Sequence, residues 1–261
     1  MTETEAAHRA AVERALAAMR GPDGCELSLD DMAEIACLSP FHFSRVFRGC
    51  TGVPPGAFLS ALRMERAKGL LLTTDAPITE VCYAVGYTSL GTFTSRFTHA
   101  VGVSPSHLRR LPETIAATFS RRSVKELLPE RTVAPRGAVA GRVSALGLAD
   151  SLIFIGLFPQ GIPQHLPVAG TILTSPGPFR FGPVPNGRYF ILSAAIPTAS
   201  DPVAWLMPGA DVRVGGGQVL TMEDGRLRGE PDVSLRPRRP TDPPILMAPV
   251  AVMLDQLRAA A

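Results

Sequence analysis

The strongest constraint on how this chain can fold is a motif that occurs twice at one fixed offset. Ser39 to Pro55 reads S-P-F-H-F-S-R-V-F-R-G-C-T-G-V-P-P, and Ser89 to Pro105 reads S-L-G-T-F-T-S-R-F-T-H-A-V-G-V-S-P. Ser39, Phe43, Phe47, Gly52, Val53 and Pro55 reappear fifty residues later as Ser89, Phe93, Phe97, Gly102, Val103 and Pro105. In each copy the two Phe residues are four apart, so a helix stacks both rings on one face, with Val46 joining the first pair and Leu90 the second. The opposite face of the first copy then carries Phe41, His42, Ser44, Arg45 and Arg48. An aromatic, a hydroxyl and two guanidinium groups on one helical face suit a DNA groove.

Upstream of each copy stands a shorter helical pattern followed by a turn, S-L-D-D-M-A-E-I-A-C from Ser28 and I-T-E-V-C-Y-A-V-G-Y from Ile78. Ser28 with Asp31 three residues on is a capping-box-like start, and Gly86 supplies the permissive backbone of a helix-turn-helix corner. Two helix-turn-helix units in tandem follow, with R-M-E-R-A-K-G-L-L-L between them.

In order and spacing these segments closely resemble the AraC/XylS DNA-binding domain over roughly residues 8 to 110. The resemblance implies two recognition helices, joined by one long helix, that enter successive major-groove segments on one face of double-stranded DNA. It implies base reading by Phe41, Ser44 and Arg45, with His42 and Arg48 beside them, and it places Ser89, Gly91, Thr92, Thr94, Ser95 and Arg96 along the second recognition helix. The second copy departs from the family pattern: Ser95 stands where an Arg is usual, Arg96 sits one position later, and the polar residues usual near Leu90 and Gly91 are missing.

Around the repeats, Ala6 to Met19 is expected to be a first helix, with Val12, Ala15, Leu16 and Met19 on one stripe. Ala57 to Leu72 is expected to be the long joining helix, with Phe58, Leu59, Leu62, Leu70 and Leu71 as core. Its Arg63, Arg66 and Lys68 read either as a basic face near DNA or as ordinary solvated cations. A last short helix, Pro105 to Arg110, carries His107, Arg109 and Arg110 toward phosphate. The organisation expected is multidomain: an all-α tandem helix-turn-helix domain over residues 1–110, a linker with a short helix over 111–131, and an antiparallel β-sandwich over 132–261, each half folding independently.

The second half changes period. Val139 to Val143, Leu152 to Phe158, Val168 to Leu173, Phe179 to Phe181, Arg188 to Leu192, Val212 to Gly215, Gln218 to Met222 and Asp232 to Leu235 alternate or run apolar between Gly- and Pro-rich turns. The expected core is Val139, Val143, Ile153, Ile155, Leu157, Ile172, Tyr189 and Ile191. From Pro167 to Ala195 the segment is similar to prealbumin-like and carboxypeptidase-regulatory-like sandwiches. Arg236 to Pro244 is a Pro-rich connector, and Ile245 to Leu257 an apolar closing segment that reads as strand or helix. An uncovered edge strand would make this half the site of homodimerisation, and Trp205 would line a pocket or fill the core.

Net charge is only +3, from 26 basic and 23 acidic residues, so the motif and not bulk electrostatics carries the nucleic-acid inference. Only Lys68 and Lys125 of those basic residues are lysine. Cys25, Cys37, Cys50 and Cys82 form no C-X-X-C pair and read as reduced thiols, with Cys37 or Cys50 open to a redox role. No leader peptide and no run of about 18 apolar residues is found, so a soluble bacterial cytoplasmic protein with no membrane contact is expected. Gly215-Gly216-Gly217 lacks the setting of a phosphate loop and reads as a turn, and His165 has no nucleophile beside it. The Y-R-G-S tail of transthyretin-like hydrolases is absent. No enzymatic activity, catalytic residue, cofactor or metal is expected. The partners expected are double-stranded DNA, RNA polymerase, a small-molecule effector and a second copy of the chain; the competing reading is a protein-interaction adaptor that keeps the helix-turn-helix fold without specific DNA binding.

Overall fold

The computed structural model describes residues 3–119, 138–198, 202–209 and 211–248. The remainder of the expected linker, Arg121 and Arg122 included, and the closing segment beyond Ala248 lie outside the described residues.

The helical half follows the sequence closely. Helix α1 (Glu3–Arg20) buries Val12, Ala15, Leu16 and Met19 on one stripe. Ser28 caps α2 (Leu29–Ile35): its hydroxyl accepts the Asp31 N–H at 3.2 Å, and the Asp31 carboxylate accepts the Ser28 N–H at 2.8 Å. Those bonds from Ser28 hold the Asp31 carboxyl below its ordinary value. Then come α3 (Pro40–Thr51), α4 (Pro55–Thr73), α5 (Ile78–Ala84), α6 (Leu90–Val101) and α7 (Pro105–Phe119). Helices α3 and α6 both stop on a left-handed glycine, Gly52 at φ 79° and Gly102 at φ 94°, whose N–H bonds back to the helix. Phe43, Phe47, Phe58, Phe93 and Phe97 are wholly buried, and the Phe47 ring stands edge-on to Phe58 at 5.5 Å.

Four readings of this half change. Leu90 is 39% exposed and does not join the Phe93–Phe97 pair; as the first residue of α6 it has no preceding turn to pack on, and Tyr87 lies against Phe93 instead. The cations of α4 do not form a basic face. Arg63 donates to the Cys25 carbonyl at 2.8 Å, Arg66 to the Pro22 carbonyl at 2.7 Å, and Lys68 is fully buried. Arg109 donates to the carbonyls of Leu71 and Ala76, tying α7 to the end of α4. Finally, α7 runs straight through Pro112 because Leu108, Leu111 and Ile115 form a buried stripe across it, which outweighs the one ladder bond that proline removes.

The second half contains β1 (Ala138–Ala145), β2 (Ser151–Phe158), β3 (Ala169–Leu173), β4 (Gly177–Pro183), β5 (Gly187–Pro197), a short helix Pro202–Leu206, β6 (Arg213–Glu223), β7 (Arg226–Arg228) and β8 (Val233–Pro237). The expected antiparallel sandwich is replaced by one mixed sheet in the order β3-β2-β5-β6-β8-β1-β4, with β7 on β6. Strands β1 and β8 pair in parallel, Val143 to Val233 through Ala145 to Leu235. The end strands β3 and β4 touch, so the sheet curls toward a barrel. Gly215-Gly216-Gly217 is not a turn: it lies inside β6, where register slips between Phe190↔Val219 and Leu192↔Gly216. Gly216 has φ +94°, and a Cβ there would sit 2.1 Å from the Ile191 carbonyl oxygen, so only glycine forms this bulge.

All eight residues of β2 are buried, because the sheet is covered on both sides. Ile153, Ile155 and Leu157 point into the curl with Val139, Val143, Tyr189 and Ile191, whereas Leu152 and Phe154 join the core of the helical half. Ile172, expected in the sheet's own core, packs on the helical side. Trp205, 5% exposed, fills the same shared core with Ile196, Leu206, Ile245 and Leu246. Residues 238–248 run across the helices: Arg238 pairs with Glu65 at 3.1 Å, Arg20 donates to the Pro240 carbonyl at 2.8 Å, and the Lys68 ammonium donates to the carbonyls of Ile245 and Leu246, each at 3.0 Å. His165 and Ala248 donate their N–H groups to the last-turn carbonyls Ala100 and Val101 of α6.

Candidate nucleic-acid interface

The two helix pairs, α2 with α3 and α5 with α6, are joined in the same way. In the first, Leu38 N–H bonds back to the Ala33 carbonyl at 3.0 Å, and in the second Tyr87 N–H bonds to the Cys82 carbonyl at 3.1 Å, the six-to-one bond that closes a helix with a left-handed residue. That residue is Gly86 at φ 80° in the second unit and Cys37 at φ 56° in the first. Arg14 from α1 donates to the carbonyls of Ile35 and Ala36, fixing the corner from behind.

With the Phe pairs turned inward, α3 presents Phe41, Arg45 and Arg48 to solvent and keeps Ser44 half-buried. Phe41 is 83% exposed, an aromatic face that nothing in the described fold covers. His42 is placed differently from the outward reading: it is half-buried, its ring lies edge-on to His8 of α1 at 5.3 Å, and its Nε2 is buried with no hydrogen-bond partner among the described residues. On α6, Gly91, Thr92, Ser95 and Arg96 are exposed and Thr94 is half-buried. Ser89 is exposed, but its hydroxyl accepts the Thr92 N–H and serves as the cap. A side chain at Gly91 would meet only Ser89 Oγ, at 4.0 Å, so packing does not demand a glycine there.

The arginines of the helical half differ in how far they are tied to the fold. Arg14, Arg63, Arg66 and Arg109 each donate to backbone carbonyls inside the helical half. The guanidinium groups of Arg45, Arg48 and Arg96, like those of Arg9 on α1 and Arg110 on α7, are exposed and make no hydrogen bond or ion pair with any described residue. Uncommitted guanidinium groups on the outer faces of two capped helices are equipped for phosphate or guanine edges. Sequence reasoning missed Tyr83, 64% exposed on α5; the buried neighbours Val81, Cys82 and Val85 were the signal that turns it outward. No group of His, Cys, Asp and Glu among the described residues could hold a metal, and no helix there is long and apolar enough to cross a membrane.

Residues 32–111 match the family described as a helix-turn-helix domain. The chain is similar to the HTH-type transcriptional activator AarP of Providencia stuartii, 35% identical over 88 residues that cover 34% of this chain and 64% of that one. It is also similar to the right origin-binding protein of Escherichia coli, 34% identical over 87 residues covering 33% of this chain and 30% of that one. Among solved structures it matches the DNA-binding domain of AdpA in complex with a target DNA, at 28% identity over 45% of this chain and 96% of that chain, with a TM-score of 0.34. The chain thus spans 30% to 64% of the length of these two curated relatives.

Proposed function

From the premise of a helix-turn-helix domain at residues 32–111, similar to those of transcription regulators, we propose that the protein is a sequence-specific regulator of the AraC type that reads duplex DNA with α3 and α6. The observation that carries this reading is the contrast between arginines tied to carbonyls within the fold and the untied Arg45, Arg48 and Arg96 on the outer helix faces. Helix α3 is the stronger reader. It offers an aromatic and two guanidinium groups, while the start of α6 offers Leu90 and Gly91. The β half would supply effector sensing or self-association, and the regulator would meet RNA polymerase in the bacterial cytoplasm.

In vitro selection of DNA sites with the full chain, followed by binding titrations at several salt concentrations, tests the proposal. Selected sites should bind far more tightly than random duplex, with affinity falling linearly on logarithmic axes as salt rises. Failure to select any sequence, with only weak salt-insensitive binding, would leave the adaptor reading in its place.

A further inference from the structure

A cavity of about 1050 Å³ lies between the helix-facing side of the sheet and the end of α3. Where Leu152 and Ile196 meet the helices the two halves share one core, whereas Phe190 and Leu192 line the cavity and stay half-buried. Phe154 and Val214 extend this apolar floor, and Cys50, Thr51 and Gly52, the last residues of α3 and its cap, form a wall. Leu166 and Val168 line the cavity while remaining 56% and 41% exposed, an apolar rim that the fold leaves uncovered.

The charges of the lining are unbalanced. The lining carries four guanidinium groups, of Arg9, Arg180, Arg236 and Arg239, and one carboxylate, of Asp242. That carboxylate is fully engaged: it accepts both Arg236 guanidinium nitrogens at 2.7 Å and the Arg239 N–H at 2.6 Å. Burial alone would raise the Asp242 carboxyl, and the bonds from Arg236 and the Arg239 amide outweigh it and hold it below its ordinary value. The side chains of Arg9 and Arg239 make no hydrogen bond or ion pair with any described residue. An apolar floor of ligand size with unneutralised guanidinium groups beside it is the recognition chemistry for one class of small molecule.

We infer that this cavity binds an amphipathic anion, a small molecule with an apolar body laid on Phe190 and Leu192 and one acidic group held by Arg9 and Arg239. The occupant touches the last turn of the helix that carries Arg45 and Arg48, so it is placed to bias DNA binding. That final step rests on the regulator reading; ligand binding itself needs no DNA.

The test is a fluorescence titration of the full chain with 8-anilinonaphthalene-1-sulfonate and with its uncharged counterpart N-phenyl-1-naphthylamine. Both dyes should bind saturably at one site, the sulfonate more tightly. Replacing Arg9 and Arg239 together by Ala should weaken the sulfonate about tenfold and leave the neutral dye unchanged. Leu192→Trp, which fills the floor, should abolish both, with near-ultraviolet dichroism confirming the fold; if that variant does not fold, Val214→Phe from the adjacent strand fills the same space. Absence of saturable binding, binding undiminished in the filled variant, or equal loss of both dyes on removing the arginines would overturn the inference. A separate anisotropy measurement on selected DNA keeps the two readings apart, since loss of DNA binding with dye binding intact counts only against the regulator.

Discussion

At the scale of single residues, freedom and commitment of cations decide most of the reading. Arg45 is exposed and unpaired within the described fold, so Arg45→Ala should leave stability unchanged and cost about 1–3 kcal/mol of discrimination at one base pair, the worth of a bidentate guanine contact. Competition binding against all single-base variants of the selected site measures this; equal weakening of every sequence would make Arg45 a phosphate contact. Lys68 is the opposite case. Burial pushes its ammonium down to about 8 from the ordinary 10.5, with Glu65 raising it and Arg238 lowering it. The folded protein therefore holds that proton less tightly than the unfolded chain does, which costs stability below pH 8, on the order of 3 kcal/mol, and the cost fades as pH rises from about 8 toward 10.5. Urea unfolding from pH 7 to 10 should show the wild type gaining on Lys68→Met, and parallel profiles would mean that Lys68 is solvated. Its burial was half legible. Ala61, Met64, Lys68 and Leu71 share one helical stripe, but the carbonyls that receive the ammonium lie 177 and 178 residues away, where no local pattern points.

At the scale of elements, the helices were legible because their signals are local: the Ser28 capping box, the Phe pairs, and the glycines at Gly52, Gly86 and Gly102. The turn between α2 and α3 carries one local conflict. Cys37 holds a left-handed conformation that Gly86 holds freely in the second unit, and its side chain is exposed. Cys37→Gly should therefore stabilise the protein by about 0.5–1 kcal/mol, read as a higher urea midpoint; unchanged or lowered stability would mean that the Cys37 side chain has a role in that corner. Most strand positions were also legible, although β6 was expected as two strands and β7 not at all; the order was not legible, because pairing β1 with β8 in parallel depends on residues some ninety positions apart. The run L-I-F-I-G-L-F of β2 did hold a clue. An uninterrupted apolar strand is buried on both faces, and here the second cover is the helical half itself.

For the whole molecule, that shared core bears on the expectation that each half folds alone. An isolated β half would expose Leu152, Phe154, Ile196 and Trp205, and an isolated helical half would leave Lys68 without its carbonyls. The sole Trp lies in the seam, so its emission reports contact between the halves while far-ultraviolet dichroism reports the helices. The two signals should move together in one urea transition; Trp emission changing first would show that the halves part before either unfolds. The bonds to α6 carry a last consequence. His165 and Ala248 hold the final turn of α6, and Gly161 sits against Val53 just past α3, so the loop from β2 to β3 and the chain leading to Ala248 brace both helices. A braced pair has a fixed stride. Inserting one base pair between the two contacted segments turns the second by about 34° around the duplex axis, and this protein should lose affinity for such a site more steeply than variants in which Gly161→Asp loosens the brace.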